Sequence, residues 1–247
     1  MARRATTIAQ TRAGGGPLLV LDAGDSLTGD QDPAKQSQGA SSVAAMNRLG
    51  YDAIALGPQD LSLGLEALQQ RIGESKFAVL SANAIVSGTG ALLARPFVVR
   101  DLGGYRVALV GLTGGPGTAE IRVGDPVAAA RQAVTDARLD AGVVLVLSHA
   151  GQAVDRQIAG EVPGISAVIS GGPGAAQAPW ISPKTGVPVM HADEAAPGHA
   201  GRILGLAQLT FDAQGRLVDK QWRRVPLGPE VADDPLMAAW VRQQAAP

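Results

Sequence analysis

Polar side chains stand just past short apolar runs in this sequence: Asp22 and Asp25 in LDAGD, Gln59 and Asp60 in GPQD, Asn83 in SANA, His149 in LSHAG, and His191, Asp193 and Glu194 in MHADE. Carboxylates, an amide and imidazoles on converging loops are the ligand set of a hard or borderline divalent metal ion. Each residue also has a plainer reading alone, because Asp and Asn at strand ends cap helices and close turns. The stretch GPQDLSLG, residues 57–64, poses the question most sharply. It is a glycine-bounded polar loop following the apolar run YDAIAL, in the position where α/β proteins place their chemistry.

Other chemistries are excluded more directly. There are no cysteines, which removes disulfides, thiolate metal sites and thiol nucleophiles together. The Gly-rich loops lack GxxxxGK[ST], and GxSxG is absent. Ser148 and His149 are adjacent on one run, so a regular strand turns them to opposite faces and they cannot act as nucleophile and base. A net charge of -1, with 17% charged residues and only 3% aromatics, gives no footprint for nucleic acid or an anionic membrane. No run approaches the ~20 apolar residues of a spanning helix, and MARRATTIAQTRAGGG has no apolar h-region of a signal peptide.

The elements that must position these groups follow from the pattern. Short apolar runs at 17–25, 51–56, 76–84, 105–113, 141–151 and 165–170 read as strands buried on both faces. Helices are expected over Arg3–Ala13, Ser41–Leu49, Leu63–Ile72, Pro126–Leu139, Ala153–Ile158 and near Asp234–Gln244, with Val127, Ala130, Val134 and Ala137 forming one apolar face. The last third instead supplies strands without intervening helices, turned by Asp212-Ala213-Gln214-Gly215. The pattern predicts a layered α/β domain over residues 1–247, with a sheet completed by antiparallel hairpins.

The order of LLVLDAGDSLTG, AMNRLGYDAIALGPQDLSLG, LSANA, VLSHAGQAVDRQIA and ISAVISGGPG resembles the calcineurin-like metallophosphoesterases, in their 5'-nucleotidase branch. The resemblance implies a sandwich of two facing mixed sheets flanked by helices, and two metal ions that activate water on a phosphoester. It makes Asp25 the counterpart of the carboxylate bridging both metals and His149 that of a later histidine ligand. Where the family carries GNHEFDxG this chain reads GPQDLSLG, so Pro58 replaces the ligand Asn, Gln59 the catalytic His and Ser62 its orienting Asp. Where it carries GHxH, this chain has Gly171, Gly172, Pro173 and Gly174.

Proline offers no side-chain donor atom and glutamine does not shuttle protons near neutral pH. The leading expectation is therefore a 5'-nucleotidase-like domain with impaired catalysis, no intact catalytic residue and no cofactor. One alternative is an active phosphohydrolase that holds a manganese- or zinc-type ion through Asp25, His149 and substitutes such as Asp60, His191 or Asp193. A second is a scaffold for a protein partner. Asn83 is expected to pin a loop, and His199 to be exposed. The resemblance further implies that the family's first strand, with its DxH motif, precedes this chain, that the domain gripping the nucleobase is absent from it, and that the protein is exported. The high Ala and Gly content suggests a bacterial gene, and the expected ligand is a small phosphoester.

Overall fold

Strands covered on both faces need side chains for two different layers, and the apolar runs supply them by alternation. The computed structural model describes residues 1–29, 33–172, 174, 178–193 and 201–244. Its first half runs α1 (Ala2–Ala13), β1 (Leu21–Asp22), α2 (Ala40–Leu49), β2 (Ala53–Ala55), α3 (Pro58–Leu61), α4 (Leu65–Glu74), β3 (Ala78–Leu80), β4 (Ala84–Val86), β5 (Phe97–Leu102), β6 (Tyr105–Leu112) and β7 (Ile121–Val123). The second half runs α5 (Pro126–Ala137), β8 (Val143–Ser148), α6 (Gln152–Glu161), β9 (Ala167–Ser170), β10 (Trp180–Ile181), β11 (Pro188–His191), β12 (Ile203–Phe211), β13 (Leu217–Pro226) and α7 (Pro235–Gln244).

One layer is a six-stranded sheet in the order β10-β11-β9-β8-β6-β5, parallel inside and antiparallel at both edges. Facing it are the parallel sheet β1-β2-β3 and the antiparallel hairpin β12-β13, and β4 pairs with β7. Ala108 and Val110 of β6 and Val144 and Val146 of β8 turn outward onto Ala130, Val134 and Ile158 of α5 and α6. Their neighbours Val107, Leu109, Leu145 and Leu147 turn inward, onto Ala53, Ala55 and Leu80 of the three-stranded sheet and Leu209, Phe211 and Trp222 of the hairpin. Ile54 and Val79 point away from that interface, onto Ile8, Val43, Met46, Leu68 and Met237 of the helices behind. The result is the layered helix–sheet–sheet–helix sandwich the sequence implied.

Several local expectations are corrected. The run at 17–25 forms only the two-residue β1, and Leu18 to Leu21 are half-buried, because β1 pairs with β2 alone. The three-stranded sheet is parallel rather than mixed. GPQDLSLG is not all loop: Pro58 opens α3, where a missing N–H costs nothing. α4 starts at Leu65, two residues late, because Gly64 sits at φ 83. α5 begins as expected, Asp125 accepting the Ala128 N–H at 2.7 Å ahead of Pro126. The strands β4, β7 and β10 are too short to leave a pattern in the sequence.

At Gly111 the two layers approach closely: a Cβ there would lie 2.4 Å from Leu80 Cβ and 2.5 Å from its backbone. Replacing it forces β3 and β6 apart across the core. Gly111→Ala is expected to destabilise the protein by about 2 kcal/mol through overpacking. Thermal unfolding checks this as a loss of roughly 4 to 8 °C in Tm.

Candidate functional site

Parallel strands deliver their carboxyl ends to one side, and the loops after β1, β2, β8 and β9 meet there. Asp60, in the single turn of α3, is fully buried beneath them. Its Oδ2 accepts the backbone N–H groups of Asp25 and Gly57, each at 2.9 Å, and its Oδ1 accepts that of Leu27 at 2.9 Å. Burial pushes the Asp60 carboxyl up to about 7, against the pull of the Gly57 and Leu27 amides. The clasp holds Asp25 in a left-handed conformation, φ 58, which Asp tolerates better than most residues. A Cβ at Gly57 would fall 2.2 Å from Asp25 Oδ1, so the two loops touch only because residue 57 is glycine.

Asp25 then reaches in two directions. Its Oδ1 accepts the Gln59 N–H at 2.7 Å, and its Oδ2 lies 3.0 Å from Nε2 of His149, at the end of β8. Nδ1 of that ring sits 2.8 Å from the Ala23 carbonyl. Both ring nitrogens face acceptors, an arrangement that favours the doubly protonated ring against the Asp25 carboxylate. Burial draws the His149 pKa down, but the hydrogen bond and charge of Asp25 and the Ala23 carbonyl outweigh it, and the net direction is up. Glycine makes room for the ring, since a Cβ at Gly24 or Gly171 would lie 2.8 Å from Nδ1.

The remaining residues are arranged around this pair. Asn83 pins a loop: its amide donates to the carbonyls of Thr113 at 2.8 Å and Gly124 at 3.0 Å, while its Oδ1 accepts the Thr113 N–H at 2.8 Å. Asp22 accepts the Gly24 N–H at 3.0 Å; burial raises its pKa and the charge of Arg4 opposes that. Gln59 and Ser62 are exposed and line an open cleft of about 440 Å³ with Thr28, Gly29, Lys35, Gln38 and Leu63, and the Ser62 hydroxyl donates to the Gln59 carbonyl at 2.6 Å. His191 lies at the end of β11, its Nδ1 2.8 Å from the Ser170 carbonyl and its buried Nε2 without a partner among the described residues. Asp193 Oδ2 is buried in the same condition. Glu194, His199 and Pro173 lie outside the described residues.

One polar cluster left no signal in the spacing. Asp155 of α6 is fully buried and accepts the hydroxyls of Ser148 and Ser170, each at 2.5 Å, tying α6 to the ends of β8 and β9. Burial pushes its carboxyl up to about 6. Only the parallel pairing of Ser148 with Ser170 brings these residues together.

These residues do not fit a two-metal centre. Asp25 and His149 bond each other, the Asp60 oxygens are taken by amides, and Pro58 and Gly172 offer no donor side chain. At Gly174 a Cβ would lie 2.5 Å from Gln152 Nε2, so that space is filled. Among the described residues no group of three or more His, Asp or Glu could hold a metal ion.

Comparison with known proteins places the domain. The 5'-nucleotidase of Bos taurus is 29% identical over 269 residues, an alignment covering 97% of this chain and 46% of the bovine protein. The crystal structure of a 5'-nucleotidase precursor from Thermus thermophilus superposes with a TM-score of 0.87 at 28% identity, covering 99% of this chain and 52% of that one. The sulfate thiohydrolase SoxB of the same organism shares the fold, with a TM-score of 0.88 at 24% identity over 100% of this chain and 46% of its own. No family model matches the sequence. Over nearly its whole length the chain is similar to the N-terminal metallophosphoesterase domain of 5'-nucleotidases, and it shares the calcineurin-like phosphoesterase fold. It spans about half the length of the curated relatives it matches, 46% in the bovine case.

Two measurements check this geometry. Asp60→Asn keeps the shape but turns an amide N–H toward backbone donors, and is expected to cost about 2 to 3 kcal/mol, read by urea denaturation. The second concerns His149, whose protonated form is the bonded one. Its contribution is complete below the ordinary pKa of 6.5 and disappears as pH rises through the raised folded value. Unfolding followed from about pH 6 to about pH 9 should show this loss in the native protein, reduced in His149→Gln.

Proposed function

We propose that this domain retains the 5'-nucleotidase-type metallophosphoesterase scaffold while its hydrolytic step is impaired, and that it binds a small phosphoester without efficient turnover. The observation that carries the reading is the contact between Asp25 Oδ2 and His149 Nε2 at 3.0 Å, with no donor side chain at Pro58 or Gly172. The pair that the family resemblance points to as metal ligands satisfies itself. Gln59, in the position of the catalytic histidine, has no proton to exchange near neutral pH. General acid–base groups contribute roughly 10² to 10⁴-fold in rate, so their loss accounts for a large defect without any change of fold.

The substituted ligand set is less favourable. Asp60 would have to release backbone amides in order to coordinate an ion. We also propose that the chain forms one domain and that the protein is exported; the resemblance to 5'-nucleotidases, one of them a precursor, supports the second. No helix of the described residues is long and apolar enough to cross a membrane.

The test is metal content and turnover. After loading with manganese or zinc, the protein is expected to retain less than one equivalent of metal. It should hydrolyse p-nitrophenyl phosphate and AMP no faster than its His149→Ala variant. Two stoichiometric ions with turnover well above that variant would overturn the reading.

A further inference from the structure

The cleft beside Gln59 has walls that buried groups hold from below. Leu27, whose amide reaches Asp60 Oδ1 at 2.9 Å, leads into Thr28 and Gly29 on one side. The turn ahead of α2 brings Lys35 and Gln38 to a second side, and its carbonyls at Ser37 and Gln38 accept Nη1 of Arg71 at 3.2 and 3.4 Å. Arg71 is only 5% exposed, so that turn is anchored to α4 from inside the protein. Gln38 is kept there at φ 48, a conformation that is costly for residues other than glycine, asparagine and aspartate. Gln59 of α3 and Ser62 just after it close the third side. An interior guanidinium, a buried carboxylate and a strained turn thus hold a set of polar tips around one opening.

The chemistry of those tips selects a ligand. Lys35 is the only charged side chain among the described residues that line the cleft. An ammonium group on a long stem, at an otherwise neutral opening, meets a phosphoryl group as a point charge. Around it stand the carboxamides of Gln38 and Gln59, which both donate and accept, and the hydroxyls of Thr28 and Ser62. The Ser62 hydroxyl gives its proton to the Gln59 carbonyl at 2.6 Å, which leaves its lone pairs to receive one. The phosphoryl group of an ionised monoester brings acceptors alone and cannot bond them. A ligand hydroxyl can.

Size and stacking narrow the class further. The cleft, about 440 Å³, falls within the roughly 300–1,000 Å³ of small-molecule sites and holds more than a phosphoryl group. The aromatic rings of the protein are employed elsewhere: Tyr51 packs on Phe77, Tyr105 on Phe211, Arg48 lies over Trp240 and Arg156 over Trp180, and Phe97 and Trp222 pack on the core. A flat heteroaromatic base meets amides and hydroxyls in this cleft where it would need a ring to stack on. A polyol meets the partners its own groups require.

We infer that this cleft is a metal-independent site for a small polyhydroxylated phosphomonoester of the sugar-phosphate class. Lys35 holds the phosphoryl group, and Gln38, Gln59, Thr28 and Ser62 bond the hydroxyls. The inference rests on the phosphoester-binding reading above and locates the ligand beside the Asp25–His149 pair, linked to it through the Gln59 N–H and Asp25 Oδ1.

Calorimetric titration of the 247-residue chain with ribose 5-phosphate, AMP and inorganic phosphate supplies the test. Ribose 5-phosphate is expected to bind equally well in EDTA and in manganese, more tightly than inorganic phosphate, and at least as tightly as AMP. Lys35→Gln should weaken it roughly tenfold or more, and Lys35→Arg should restore most of the loss. Gln38→Gly removes the carboxamide and relieves the backbone, and should weaken ribose 5-phosphate while leaving inorganic phosphate unchanged. Lys35 and Gln38 are exposed, so an unchanged Tm verifies that these variants fold. Ribose 5-phosphate that binds Lys35→Gln as well as the native protein, that requires manganese, or that binds no tighter than inorganic phosphate would overturn the inference and leave the phosphoester-binding reading standing. So would AMP bound about tenfold more tightly than ribose 5-phosphate. Binding of none of the three would overturn both.

Discussion

A single buried carboxylate organises the strand-end loops. Asp60 receives the amides of Asp25, Leu27 and Gly57, so the loop after β1 and the loop after β2 are folded onto one side chain. The left-handed turn at Asp25 follows from that clasp, and so does the direction of its carboxylate. Through Asp25 the connection passes to His149 and across to the six-stranded sheet, and the His149 ring returns it to the Ala23 carbonyl. Layers that meet elsewhere largely through apolar contacts are here tied by a continuous polar chain. Such networks are favourable only when every member is satisfied, and this one is.

The same side chains set the charge of the site. Cations of the protein stand against the carboxylates gathered at these strand ends. The imidazolium of His149 stands against Asp25, and the guanidinium of Arg4, bonded to the Tyr51 hydroxyl at 2.9 Å, acts on Asp22. A metal ion entering this region would have to displace a proton from His149 and break an ion pair already made, in addition to losing its own water.

Much of the fold was legible in the sequence, and the reasons differ by element. The runs that became β6 and β8 were read correctly because a strand covered on both faces has no polar side to disguise it. The run around β1 reads as fully buried but is half-exposed, since composition records what a strand can tolerate and not which neighbours stand beside it. At the site, the positions of Asp25 and His149 in the chain were readable, but their bond to each other was not. Asp60 reads as a candidate metal ligand because sequence shows a carboxylate without showing where its lone pairs are engaged. The Asp155 cluster was invisible for a related reason: Ser148 and Ser170 become neighbours only through the pairing of β8 with β9.

The Asp60 clasp also bears on which positions of a site of this kind tolerate substitution. Asp25, Asp60 and His149 each hold backbone or one another, so losing any of them disturbs folding as well as whatever chemistry the site performs. The side chains of Gln59 and Ser62 sit at an open cleft and brace little beyond their own helical turn. Substitution in the first group therefore costs stability as well as chemistry, and in the second it costs little stability. A catalytic centre under relaxed demand would then shed its singly employed members first, and its doubly employed members would persist as parts of the architecture.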